Sequence, residues 1–427
     1  MSEERLVPKL RFEGFTDKWK SVKLGDIFSF YSTNSFSREK LNYDEGNVKN
    51  IHYGDIHTKF PTILSISKNE EVPYINDDVD LSRFKEEQYL QEGDLVIADA
   101  SEDYDDIGKA IEVKNINDEK VLAGLHTILA RDEKNITVNG FKGYLFLTND
   151  LKTNIKRIAN GISVLGISKN NLSKLNVNIP SKSEQQEIVN LFSSMDKKIE
   201  LLEQKHENYQ NFKKYLMQQI FEQKLRFNEF DDEWKKIKLK DADITISDGN
   251  YGEAYPKQED FKNEGIPFIR AVNIVNSKLT LKDMRYISES LHNTLLQGHL
   301  KENDILFTNR GDIGLVAYVT KEFENSNINA QICLLRVNDK NINAKYLFYL
   351  LTNPYVQRQV LKYQTGSALK QLPKKSLGDF ELLIPSYNEQ VKIVGILTEY
   401  DKKIDLIEDE LLDLHNFKKG LLQQMFV

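Results

Sequence analysis

The chain has 427 residues, 40% hydrophobic and 29% charged, enough for two or three domains with real cores. No apolar run approaches the ~20 residues a membrane span needs. The charged start MSEERLVPKLRFEGF lacks the apolar core of an export signal, and a single cysteine, Cys333, excludes an internal disulfide or a cysteine-based zinc site. These features place the protein in the cytosol, and Cys333, within QICLLR, reads as a buried strand residue. A net charge of −7 argues against nucleic-acid binding driven by overall charge, so a DNA reader built on this chain needs a partner's help.

The first element is an entry segment, KLRFEGFTDKWKSVKLGDI from Lys9, and it recurs as KLRFNEFDDEWKKIKLKDA from Lys224. Trp19 and Trp234, the two tryptophans, fall at matching places. Residues 1–178 then read as a variable globular region of short β-rich runs, Gly/Asn turns and a few helical stretches, an α+β pattern. Its loops YSTNSFSREK and IHYGDIHTK mix hydroxyl, amide, basic and aromatic side chains, the mixture that approaches base edges and phosphates. They nominate Asn34, Ser35, Arg38, His52, Tyr53 and His57, and the later loop NGISVLG adds Ser163. The acidic loop SEDYDD lacks the spaced ligands and closing Glu of a calcium site and reads as solvated.

Residues 179–222 form the next element, a long helix. Pro180 precedes it, Ser183 with Gln186 fits a capping box, and Ile199, Leu202, Tyr209 and Leu216 step by three and four along one seam. Lys213 interrupts that seam, as a polar residue that fixes register does. At ~1.5 Å per residue, a helix of about 40 residues is ~60 Å long.

Residues 223–383 repeat the globular plan with different loops. NDILFTNRGDIGLVAYV matches GDLVIADASEDYDDIGKAIEV, AQICLLR matches LHTILAR, and TGSALKQLPKKSL matches NGISVLGISKNNL through Gly366 and Gly161. The candidate contacts here are Asn250, Tyr251, Arg270, Asn273, Asn309, Arg310, Ser367 and Lys370, with Arg270 and Arg310 foremost because Arg pairs with guanine in bidentate fashion. TNPY, from Thr352, lacks a second proline and an upstream glycine-rich cofactor strand, and reads as a turn between helices. Residues 384–427 then return to the helix: IPSYNEQVKIV repeats IPSKSEQQEIV at an offset of 205 residues, with seam positions Ile404, Ile407, Leu411, Leu414 and Leu421 and a lysine at Lys418. Two copies of one seam favour pairing with each other, most simply antiparallel, as a spacer with a globular region near each end.

No G-x-x-x-x-G-K-S/T phosphate loop, G-x-G-x-x-G turn or H-E-x-x-H pair is present, and the seven histidines offer no ligand pair at helical spacing. Three readings follow: a non-catalytic DNA reader, a protein scaffold on a helical spacer, or an enzyme, which the missing motifs disfavour.

The combination of IPSKSEQQEIV and IPSYNEQVKIV, DKKIELLE and DKKIDLIE, FKKYLMQQIF and FKKGLLQQMF, the two entry segments, and GISVLGIS with GSALKQL resembles the DNA-specificity subunit of type I restriction-modification systems over essentially the whole chain. The resemblance implies two globular target-recognition domains joined by two long antiparallel coiled-coil helices, with an internal pseudo-twofold. Each domain is then expected to read one half of a bipartite double-stranded DNA site, the helices setting the gap. It further implies no metal and no cofactor on this chain, and no chemistry. Methyl transfer from S-adenosylmethionine belongs to two modification (methyltransferase) subunits docked on the helices. ATP- and Mg-dependent translocation and cleavage belong to restriction subunits.

Overall fold

The computed structural model describes residues 6–68, 71–251, 255–366 and 370–427. The chain forms two compact units, and they do not follow the sequence segments: unit 1 is residues 1–203 with 409–427, and unit 2 is residues 204–408. Each unit therefore takes one globular region and a portion of both long helices, Lys182–Phe221 and Tyr387–Met425.

In unit 1 a five-stranded sheet has the order Ser29–Tyr31, Thr127–Arg131, Leu95–Ala98, Ala110–Lys114, Ile63–Ser65. The apolar run of Leu95–Ala98 has no polar face because both faces are covered. Leu95 and Ile97 point into a core shared with the helices, while Val96 and Ala98 point into a second core beneath a four-stranded sheet that contains Val48–Ile51 and Lys120–Ala123. This is strand alternation, period two, with a hydrophobic partner on each side. Unit 2 repeats the design with fewer strands: Ile244–Asp248, Ile332–Val337, Ile305–Thr308 and Val316–Tyr318 form its main sheet. Ile305 and Phe307 face one core and Leu306 the other. Cys333 lies buried in this sheet; its thiol donates to Asp248 Oδ1 (3.2 Å) and is pushed well up by burial and that carboxylate.

Each globular region is closed at its base by a ribbon that joins its entry to its exit. Lys20–Lys23 pairs antiparallel with Asn176–Ile179, and Lys235–Lys238 with Glu381–Ile384, so each exit strand leads directly into a long helix. The recurring Glu-Gln pair lies at that junction. Arg11 grips the buried Glu184 with two bonds of 2.7 Å, and Arg226 grips Glu389 at 2.8 and 2.9 Å. Gln185 and Gln390 are equally buried; each donates to the proline carbonyl before its helix (3.0 Å in both) and accepts a backbone N–H from the loop above, Val138 or Asn343. One difference separates the copies: Trp19 Nε1 donates to Glu184 at 3.3 Å, while Trp234 Nε1 is buried without a partner among the described residues.

The helix start lies two residues earlier than the Ser183–Gln186 capping box expected from sequence. Ser181 is the cap: its carbonyl accepts the first helical bond, from Gln185 N (2.9 Å), and its hydroxyl receives Glu184 N (3.4 Å). Gln186 instead donates along the helix to Asn190 (3.0 Å).

Within each unit the two helix segments pack antiparallel. In unit 2, His206 meets Glu408 (3.0 Å) and Lys213 pairs with Asp401, one chain rising as the other falls. In unit 1, Phe192 meets Phe426 (ring centroids 6.3 Å apart) and Asp196 pairs with Lys418. Of the seam residues, Ile199, Leu202 and Leu421 are buried in unit 1 and Leu216, Ile404 and Ile407 in unit 2; Tyr209, Leu411 and Leu414 are half-buried. Each seam lysine therefore pairs with the aspartate of the other helix's DKKI motif. A tyrosine completes both pairs: Tyr144 OH donates to Asp196 (2.8 Å) and Tyr349 OH to Asp401, with each lysine over the same tyrosine ring (5.6 and 5.2 Å). Burial and the adjacent carboxylate push both phenols well above their ordinary value, so they remain donors.

Candidate nucleic-acid interface

In each unit the loops nominated by sequence converge at one end of the main sheet, and the elements that carry them correspond. His52 follows the strand Val48–Ile51 as Arg270 follows Ile266–Ile269, and both strands are parallel-paired to a neighbour. The loops 160–166 and 365–371 also correspond. Asn160 and Gly166 exchange backbone bonds of 3.0 and 2.7 Å, and Thr365 and Gln371 exchange bonds of 2.8 and 2.9 Å. Gly161 and Gly366 have φ of +138° and +91°, which explains glycine at both positions.

Several nominated residues hold these loops and are spent in doing so. Asn34 is buried; its amide donates to Asn50 (2.6 Å) and Ala123 O (2.9 Å) and accepts from Phe36 N. Asn250 ties down the turn at Leu296 and Gln297 (2.7–3.2 Å), and Asn273 closes the loop to Arg270 N and Lys282 O. Asn309 is buried with its backbone bonded to Gln331 and Leu372, but its side chain is not spent: its Oδ1 has no partner among the described residues. Arg38 carries a bidentate pair with the fully buried Asp55 (2.9 and 3.2 Å), which neutralises its fork.

The remaining unit 1 candidates form an aromatic and imidazole cluster. His52 is buried and caps the helix Tyr53–Thr58, its Nδ1 accepting from Gly54 N at 3.1 Å. Burial first, then the nearby Arg38 charge, hold this imidazole below its ordinary value. Tyr53 lies tilted against His52 (ring centroids 4.7 Å apart) and meets His57 and His126 edge-on. His57 contacts Ala100 O (3.1 Å). Ser35 and Ser163 are exposed, and beside Ser163 the side chain of Ile162 is fully exposed at the loop tip.

In unit 2, Tyr251 is partly exposed and fixed by bonds from its hydroxyl to Asp248 (2.9 Å) and Ala330 O (3.1 Å); burial and Asp248 push it up to about 12. Arg310 lies over its ring, 5.4 Å from the centroid. Arg270 borders a cavity of about 380 Å³ with Tyr255, Val272, Asn329 and Gln331. Burial, with Arg285 close by, lowers its guanidinium. Lys370 is exposed, and Ser367 lies outside the described residues.

The structure adds residues that composition did not single out. His126, at φ +54°, faces Asp99 (3.5 Å), whose carboxyl is raised by burial. Lys169 reaches Tyr31 O (2.6 Å) and is lowered by burial. Arg83 lies over Phe36 and Phe84 (5.6 and 5.1 Å) and borders a cavity with Ser35 and Gln88. In unit 2, Gln331 and Lys374 join the face, Lys374 pairing with Asp248 at 3.0 Å. His126 and Gln331 were findable, since they occupy the same place in LHTILAR and AQICLLR. Among the described residues no three His, Cys, Asp or Glu side chains converge as a metal site needs, and no helix is long and apolar enough to cross a membrane.

Comparison with known proteins gives a consistent picture. The MjaVIII type I restriction enzyme specificity subunit of Methanocaldococcus jannaschii is 23% identical over 310 residues, covering 69% of this chain and 71% of the relative. The EcoBI type I restriction enzyme specificity subunit of Escherichia coli is 27% identical over 199 residues, covering 46% of this chain and 41% of that protein. The fold matches the crystal structure of the S subunit of a type I restriction-modification system from M. genitalium, with a TM-score of 0.60, 16% identity and 99% of each chain covered. The family model for the type I restriction modification DNA specificity domain matches twice, at residues 16–209 and 231–415, and the chain belongs to that family.

Proposed function

We propose that this chain is the non-catalytic sequence-specificity subunit of a type I restriction-modification complex, acting in the cytoplasm. Each unit reads one half of a bipartite duplex site, and the paired helices set the gap and carry two methyltransferase subunits. One observation carries this reading: the specificity-domain model falls on the chain twice, while the two candidate faces built on that repeated scaffold differ in chemistry. Unit 1 offers imidazoles gathered around Tyr53, with Arg83 over Phe36 and Phe84, and unit 2 offers Arg310 over Tyr251 beside the cavity that Arg270 borders. A repeated frame with unlike faces suits two unlike half-sites.

Chemistry belongs to the partners. The methyltransferase subunits bind S-adenosylmethionine and act on adenines taken out of the stack, at a cost of a few kcal/mol in lost stacking. Restriction subunits supply the ATP- and Mg-dependent motor and nuclease. The net charge of −7 fits this division, since the partners then contribute much of the charge that holds phosphates. The test is a methylation map: the chain is co-expressed with its modification subunit in a methylation-free host and modified adenines are read across the genome. A two-part motif with a fixed gap supports the proposal. An assembled complex that leaves no new methylation overturns it. Whole helical turns inserted between Asp196 and Tyr209 should lengthen the gap and leave both halves unchanged.

A further inference from the structure

The arginines of unit 2 differ in what already holds them, and that difference separates their tasks. Arg226 is neutralised by Glu389 and Arg336 by Asp304 (2.6 Å), so neither guanidinium is open. Arg358 donates into its own helix, to Pro354 O, and Arg285 lies over Phe261 with an acceptor in Gln258. Arg270 spends Nη2 on Asp283 O, and its Nε is buried without a partner, so the whole fork is not available to one ligand.

Arg310 stands apart. It is exposed at the end of the strand Ile305–Thr308, and among the described residues no carboxylate or hydrogen-bond acceptor engages its guanidinium. Among the described residues its guanidinium lies over the ring of Tyr251, a cation–π contact that holds its position without occupying a donor. Tyr251 is itself fixed at its hydroxyl by Asp248 and Ala330 O, and Asp248, the nearby carboxylate, is already taken by Lys374.

We infer that Arg310 is the residue through which unit 2 reads a guanine, bidentate to O6 and N7, with Tyr251 as its positioning residue, and that Arg270 holds a phosphate of the same half-site. The inference rests on the DNA-reading role proposed above. A planar fork with its donors open and its position held by a ring matches the guanine edge, whereas a partly occupied guanidinium beside a second cation, Arg285, matches a diffuse negative charge.

The test uses the complex with its modification subunits, with binding competition at several salt concentrations and a methylation map for each variant. R310A and R310K should both relax one G·C position in one half of the motif by about tenfold to a hundredfold, because lysine restores charge but not the fork. Y251A should give a weaker version of the same relaxation, and Y251F, which keeps the ring, should not. R270A should weaken binding to all sequences alike and flatten the slope of log affinity against log salt by about one, leaving the motif intact. If R310A lowers all sequences equally and flattens the salt slope, Arg310 is a phosphate contact and the inference is wrong. A wild-type split motif unaltered by R310A sinks the inference alone, whereas a wild-type complex that reads no split motif sinks the proposed function with it.

Discussion

Replacing Lys418 with methionine removes one charge from the Tyr144–Asp196–Lys418 cluster while keeping most of the alkyl volume. The lysine side chain is 14% exposed and the aspartate 35%, between a surface pair and a buried one. Exposed pairs contribute about 0.2–1 kcal/mol, and breaking a fully buried pair costs roughly 3–5 kcal/mol. Asp196 would keep the Tyr144 hydroxyl and partial access to water, so K418M should cost about 2 kcal/mol. D196N should cost a similar amount, and the double variant clearly less than the sum, with a coupling of about 1 kcal/mol. The two tryptophans make this measurable unit by unit, because Trp19 lies in unit 1 and Trp234 in unit 2. In a W234F background, urea unfolding followed by Trp19 fluorescence should show a lower midpoint with an unchanged slope for K418M. The same experiment on K213M in a W19F background should report an equal loss, since Lys213, Asp401 and Tyr349 repeat the cluster. Strict additivity of K418M and D196N would refute the reasoning, as would a K213M effect seen in unit 2 with none for K418M in unit 1.

Further expectations concern single residues. His52 caps a helix through a neutral nitrogen and is held below its ordinary 6.5 by burial, so its contribution is fully present above that value and is lost as pH falls. Thermal unfolding of unit 1 should therefore weaken by about 1 kcal/mol between about pH 7.5 and about pH 5.5, and H52N, which caps through an amide oxygen, should abolish most of that loss. E389Q should lower the denaturant midpoint of unit 2, read by Trp234, because it replaces the buried carboxylate that receives two bonds from Arg226 with a neutral amide that can accept only one of them. G161A forces a side chain into φ +138°, with its Cβ 2.0 Å from Val164 O. It should distort the 160–166 loop at a local cost of about 1–3 kcal/mol and degrade one half of the methylation motif while the other half stays sharp.

The long helices and the duplication could be read from the sequence because seam spacing and a 205-residue offset are properties of the chain itself. What the seam lysines do could not, since Lys213 finds its partner in Asp401, on the opposite copy, and only the antiparallel packing brings them together. The recurring Glu-Gln was visible as identity, yet its role required knowing that Arg11 and Arg226 fold back onto the helix starts. The loop residues show the opposite failure. Asn34, Asn250 and Asn273 have the right chemistry for base contacts, but amides that bind bases equally bind backbone, and burial decides which. Arg38 and Arg310 look alike in sequence, but Arg38 is paired to a buried aspartate while the aspartate near Arg310 is taken by Tyr251 and Lys374.

The division of the long helices between the units has a consequence for synthesis. Unit 2 is one continuous span of chain, whereas unit 1 is sealed by residues 409–427, whose Leu421, Met425 and Phe426 pack against Trp19, Phe141 and Phe192. On the ribosome the first two hundred residues must wait, with that apolar surface unsealed, until residues 409–427 have emerged. A premature stop near residue 408 would thus spare the later-made unit and cripple the earlier one. Any recombination that exchanges the first globular region must bring in residues able to receive the tail of an unchanged final helix.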